Sequence, residues 1–137
     1  MDDAEVLKQL AALIADMAQR GALQIQADRR DALVRTTVVP STRVPQLLDM
    51  VTELMGPAVK PAGEGAFWKN WFDPFVKAVG GIQKDQSLFR KPLVGDLSLY
   101  CAFWPWASDA TRTSLRIGIC CGDDRRKALE AILKAAK

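Results

Sequence analysis

The sequence predicts an α+β domain: an antiparallel sheet of about four strands, supplied by two hairpins, with helices packed on one face. Three observations carry this reading. Apolar residues recur at three- and four-residue spacings near the start, the middle and the end of the chain. Strict two-residue alternation runs through 96–105 and 113–121. Turn-forming residues separate these blocks.

Residues 3–20 read as an amphipathic helix. Val6, Leu7, Leu10, Leu13, Ile14 and Met17 share one side, and Lys8, Gln9, Asp16 and Gln19 the other. Asp2 or Asp3 can cap its start, and Gly21 is placed to end it. Residues 22–27 (ALQIQA) alternate as a short strand, and 28–31 (DRRD) form a polar turn. Residues 33–39 (LVRTTVV), rich in β-branched side chains, complete a hairpin. A second helix starts at Ser41 or Thr42, with Pro45 tolerated in its first turn. Leu47, Leu48, Val51, Leu54 and Met55 form its apolar stripe before Gly56-Pro57 stops it.

Residues 57–65 (PAVKPAGEG) read as a loop. The next stretch, 66–81 (AFWKNWFDPFVKAVGG), places five aromatics in nine positions. Asp73-Pro74 divides it into a helical turn at 66–71 and a helix capped by Asp73 with Pro74 at its first position. Residues 82–96 look irregular, with room for one short extra strand. In the strand 96–105, Leu97, Leu99, Cys101 and Phe103 take one face, and Ser98, Tyr100, Ala102 and Trp104 the other. Residues 107–112 turn the chain back. In 113–121, Leu115, Ile117, Ile119 and Cys121 alternate with Ser114, Arg116, Gly118 and Cys120. One face of this hairpin should therefore be buried. The last helix follows Gly122, capped by Asp123 or Asp124, and should bury Leu129, Ile132, Leu133 and Ala136.

The halves suggest an internal hairpin–helix repeat. Residues 34–39 align with 115–120, Leu48 with Leu129, Val51 with Ile132 and Asp28 with Asp109. This alignment turns Val34, Thr36 and Val38 inward with Leu115, Ile117 and Ile119. It puts Arg35 and Arg116 together on the outer face.

Composition narrows the function classes. The 137 residues fit one domain, spanning 1–137, that is large enough to bury a core. Hydrophobic and charged shares of 49% and 26% are those of an ordinary soluble chain. No apolar run approaches the ~20 residues of a membrane span, and no membrane association is expected. The acidic start MDDAE is unlike a secretory signal. With three cysteines that lack metal or disulfide spacing, this points to a cytoplasmic protein. The net charge of +3 is modest, and Arg29-Arg30 sit between Asp28 and Asp31, so their fields partly cancel.

Catalytic chemistry is poorly supplied. There is no histidine for base work near neutral pH, and neither a phosphate loop nor a metal-ligand cluster. No cofactor is implied. Cys120, ahead of a helix N-terminus and on the outer face, is the candidate reactive thiol.

The expected function is therefore a small non-enzymatic protein-binding, adaptor or chaperone-like domain, acting as a homodimer. Its binding surface would combine Phe67, Trp68 and Trp71 with an exposed outer sheet face carrying Tyr100, Trp104, Arg35 and Arg116. Two other readings use the same residues. A basic and aromatic sheet face suits single-stranded nucleic acid. A pocket lined by the aromatics of 67–79 suits a small apolar ligand.

Overall fold

The computed structural model describes residues 1–59 and 86–135. The aromatic segment, with Phe67, Trp68 and Trp71 and the pocket expected around 67–79, lies outside the described residues.

Helix α1 spans Asp3–Gly21 and starts where the Asp2 carboxylate accepts the Glu5 N–H at 2.8 Å. Its end differs from expectation. Gly21 is the last helical residue, and Ala22 takes the left-handed conformation, φ 50° and ψ 51°. Gly21 meets a different need: a Cβ there would stand 3.1 Å from Leu23 and 3.2 Å from Leu47. Close approach, not a positive φ, selects glycine here. The Leu23 N–H closes the helix end on Ala18 O at 3.0 Å, and Leu23 enters the core. That use of residues 22–25 shortens the expected first strand to β1, Gln26–Ala27.

Strand β2 is Val34–Pro40. A 3-10 turn, Ser41–Arg43, leads into α2, Val44–Met55, with Pro45 in its first turn. Neither Ser41 nor Thr42 caps α2. The Ser41 N–H donates to Thr111 O at 2.7 Å, and its hydroxyl pairs with that of Thr113 at 2.9 Å. Ser41 thus fastens the helix entry to the sheet.

The stretch expected to be irregular contains β3, an eight-residue strand, Ser87–Val94. Pro92 fits because β3 is an edge strand, where a missing N–H costs no ladder bond. The register shifts between Pro92 and Val94, and Gly95 turns the chain at φ 56°. Strand β4 is Leu97–Pro105, β5 is Arg112–Cys120 and α3 is Asp123–Ala135. The β4–β5 turn is braced by Asp109, whose carboxylate accepts the Thr111 N–H and hydroxyl; those bonds hold it below the usual carboxylate range.

Among the described residues the sheet therefore has five strands rather than four, in the order β1-β2-β5-β4-β3, with every neighbouring pair antiparallel. The three helices described cover one face. Val6, Leu10, Leu13 and Met17 of α1, Leu47, Met50, Val51 and Met55 of α2, and Leu129 of α3 meet Phe89, Leu97, Leu99, Cys101, Phe103, Leu115, Ile117 and Ile119 in one core. Phe89 and Phe103 meet edge-on at 6.1 Å and 67°, a geometry that adds about 0.5–1.5 kcal/mol beyond area burial.

Helix α3 buries less than its pattern suggests. Leu129 is fully buried, Leu133 packs against the core edge, and Ile132 is 39% exposed. Ion pairs hold it instead. Arg125 reaches Asp3 at 2.6 Å, and Arg126 binds both Asp31 and Glu130. Its start is met by Asp96, whose carboxylate accepts the Gly122 N–H at 2.9 Å.

The internal repeat is not supported by the strand register. Val34 faces Gly118, Thr36 faces Arg116 and Val38 faces Ser114, so these three lie on the side away from the helices. Leu115 and Ile117, their supposed equivalents, lie on the helix side. A one-residue change of phase reverses every side chain of a strand. Helix equivalence fails in the same way, because Val51 is buried and Ile132 exposed. Among the described residues, no helix is long and apolar enough to cross a membrane.

Candidate binding surfaces

The face of the sheet away from the helices is built from β3, β4, β5 and β2 in register. Leu88 stands opposite Ala102, Arg90 opposite Tyr100, Trp104 opposite Ser114, and Gly118 opposite both Tyr100 and Val34. Val34, Leu88, Tyr100, Ala102 and Cys120 form a second apolar cluster, with Trp104 packed against it.

The centre of this face is closed rather than open. Tyr100, expected to be exposed, keeps only 6% of its surface. Burial, partly offset by the nearby Arg116 guanidinium, pushes its hydroxyl up to about 12. Gly118 makes room for the ring, since a Cβ there would stand 3.0 Å from Tyr100 Cε1.

Toward the β4–β5 turn, cations stack on indoles. The Arg116 guanidinium lies 4.9 Å from the Trp104 ring centre, and Arg112 lies 5.5 Å from that of Trp106. Trp106 donates to the Ser114 hydroxyl at 2.8 Å. Among the described residues, Trp104 Nε1 and Arg116 Nε are buried without a hydrogen-bond partner. Buried donors of this kind are normally satisfied, so this corner holds unused hydrogen-bonding capacity.

Arg35 does not join Arg116. Its Cα partner is Ile117, which places it on the helix side at the sheet margin. There it donates to Ala32 O and Val34 O at 2.9 and 3.0 Å. The expected four-residue patch is thus split: Tyr100 is buried, Trp104 and Arg116 are stacked together, and Arg35 lies on the opposite face.

Cys120 is buried in the second apolar cluster. Its neighbour Cys121 is half-buried, and burial with the adjoining Cys120 raises the Cys121 thiol rather than lowering it. Burial also pushes Cys101 well up. None of the three cysteines forms a disulfide. Among the described residues, no three acidic, cysteine or histidine groups converge as a metal site requires.

Two features escaped the sequence reading. The first is the open edge of β2. Strand β1 covers only Arg35 and Thr36, leaving the stretch from Thr37 to Val39 without a paired strand on that side among the described residues. Val38 is 47% exposed there. Grooves lie on either side of it, one against 22–24 and Arg43, the other against 110–112. The second is the turn 28–31, where Asp28 and Asp31 are engaged by protein donors while the Arg29 and Arg30 side chains stand exposed. The signal was present: aspartates at such spacing build Asx turns, which occupy their carboxylates.

No protein-family model, curated protein or solved structure matches the chain.

Proposed function

We propose that the chain is a small protein-binding module that acts as a homodimer, joined through the open edge of β2. The observation that supports this is the contrast between the two margins of the sheet. Strand β3 carries the devices that discourage strand addition: Arg90, Lys91, Pro92 and a register shift beside it. Its Leu88 carbonyl also accepts the Val59 N–H at 2.8 Å. The open stretch of β2, Thr37-Val38-Val39, carries no charge, no proline and no bulge until Pro40.

A second copy fits this margin better than a charged partner. Two copies of a chain with net charge +3 repel one another over most approaches. A strip without charged side chains adds no direct like-charge contact to that cost, and Thr37–Val39 is such a strip. Antiparallel pairing about a two-fold axis would put the same residues on both sides. It would seat Val38 of each copy in a groove beside its partner strand. A reducing, cytoplasmic setting suits three cysteines that form no disulfide.

Sedimentation velocity over a concentration series tests the reading. The expected result is a reversible dimer that Val38→Lys converts to monomer with an unchanged circular dichroism spectrum. A strictly monomeric wild type at high concentration would overturn it, as would a dimer indifferent to Val38→Lys.

A further inference from the structure

The turn between β1 and β2 presents two guanidinium groups that form no ion pair among the described residues, although Asp28, Asp31 and Glu130 line the same cavities. Each carboxylate around it is engaged. Asp28 accepts the backbone N–H groups of Arg30 and Asp31 at 3.0 and 2.9 Å. Asp31 accepts the Leu33 N–H and binds Arg126, which also holds Glu130 at 3.1 Å. The exposed Arg29 and Arg30 side chains make no ion pair among the described residues, nor does Lys134 on α3.

Two cavities meet at this turn and share Ala27, Asp28, Arg29 and Arg30. One, of about 670 Å³, runs onto the outer sheet face as far as Thr36 and Arg116. The other, of about 460 Å³, runs to the helix side past Arg35 to Lys134. Because Arg35 and Arg116 lie on opposite faces, the cations form a path that passes over the sheet margin. At its outer end, Arg116 Nε and Trp104 Nε1 are buried donors without acceptors among the described residues, and Arg116 lies on the Trp104 ring.

We propose that this path binds the phosphodiester backbone of single-stranded nucleic acid, with phosphates at Arg116, at Arg29 and Arg30, and at Lys134. Phosphate oxygens are strong acceptors and match the fork of arginine donors. A path of several separated cations suits a repeating anion better than a single one. Its course over a sheet edge suits a flexible strand, since a duplex is stiff over ~150 base pairs.

The test is fluorescence anisotropy with a labelled single-stranded oligonucleotide of about ten nucleotides, across a salt series. Three or four contacts predict that log K falls with log salt at a slope of about −2 to −3. The Arg29→Ala/Arg30→Ala double variant should bind at least tenfold more weakly, with a slope shallower by about 1.4. Lys8→Ala/Lys91→Ala removes the same charge from α1 and from β3 at the opposite edge of the sheet, and should leave both quantities nearly unchanged. These positions reach the surface, and circular dichroism checks that the variants fold. No binding at about 50 mM salt overturns the proposal. So does equal weakening by the two double variants, which would mark attraction to net charge alone. Preference for a duplex of equal length, or binding of inorganic pyrophosphate without the oligonucleotide, also overturns it.

Discussion

Tyr100 lies against Gly118 across the β4–β5 ladder, its Cε1 3.0 Å from where a Gly118 side chain would begin. The Leu33 carbonyl oxygen stands at the same distance on the other side. A methyl group at 118 therefore meets a packed ring and a backbone atom, neither of which moves cheaply. Gly118→Ala is expected to cost about 1–3 kcal/mol, the usual range for overpacking a filled site. Urea denaturation measures it. Tyr100→Leu in the same background should recover only part of the loss, because Leu33 O remains.

Tyr100 is the single tyrosine of the chain, so its ionisation is read without interference from another phenol. Folding raises its pKa from 10.0 to about 12 through burial. Below about pH 10 the phenol is protonated in both folded and unfolded chains, and stability does not depend on it. Between about pH 10 and 12 the unfolded chain releases the proton while the folded chain keeps it, so stability falls as pH rises. The loss approaches about 3 kcal/mol at the upper end. Absorbance titration should show tyrosinate appearing near pH 10 in concentrated urea and well above pH 11, or together with unfolding, in buffer. Coincident titrations would refute the burial of this hydroxyl.

The parts of the fold that were legible in the sequence are those where one local rule acts alone. The alternation of 97–103 gave the inner face of β4 because that strand lies inside the sheet. Strand β2 was located well but turned the wrong way round. Thr36, Val38 and Arg35 alternate with side chains of intermediate polarity, so hydrophobicity does not fix the phase; pairing with β5 does. Strand β3 was obscured by Pro92 and Gly95, which read as loop until its edge position and the two-residue turn explain both. The candidate surfaces failed for a related reason. Exposure of Tyr100 depends on packing across strands, and the freedom of Arg29 and Arg30 depends on where neighbouring carboxylates point. Neither quantity is local.

The C-terminus of α1 offers a pair of substitutions with opposite signs. Ala22 holds φ 50°, a conformation that costs an L-residue about 1 kcal/mol and glycine almost nothing. Ala22→Gly should leave stability unchanged or raise it by up to about 1 kcal/mol, the relief of strain exceeding the added freedom of the unfolded chain. Gly21→Ala should lower stability by about 1 kcal/mol. Its helical geometry welcomes alanine, but the new Cβ would press on Leu23 and Leu47 at 3.1 and 3.2 Å. Thermal unfolding of the two variants side by side checks the assignment. If helix propensity alone governed this end, Gly21→Ala would be the stabilising change.

The three thiols should separate by reactivity in an order opposite to one based on helix-terminus activation. Cys121 is half-buried, whereas Cys120 and Cys101 are buried, Cys101 completely. The thiolate is the reacting species, and burial raises the pKa of both Cys121 and Cys101. The N-terminus of α3 adds little activation, because Asp96 already places a carboxylate on the Gly122 N–H. Titration with a chromogenic disulfide at about pH 8 should therefore modify one thiol, more slowly than free cysteine, and peptide mapping should identify it as Cys121. The rate should rise with pH above that point as more thiolate forms. Cys120 and Cys101 should react only as the chain unfolds, giving three equivalents in urea. Rapid labelling of Cys120 in the native protein would mean that the second apolar cluster opens, and with it the face that Tyr100 closes.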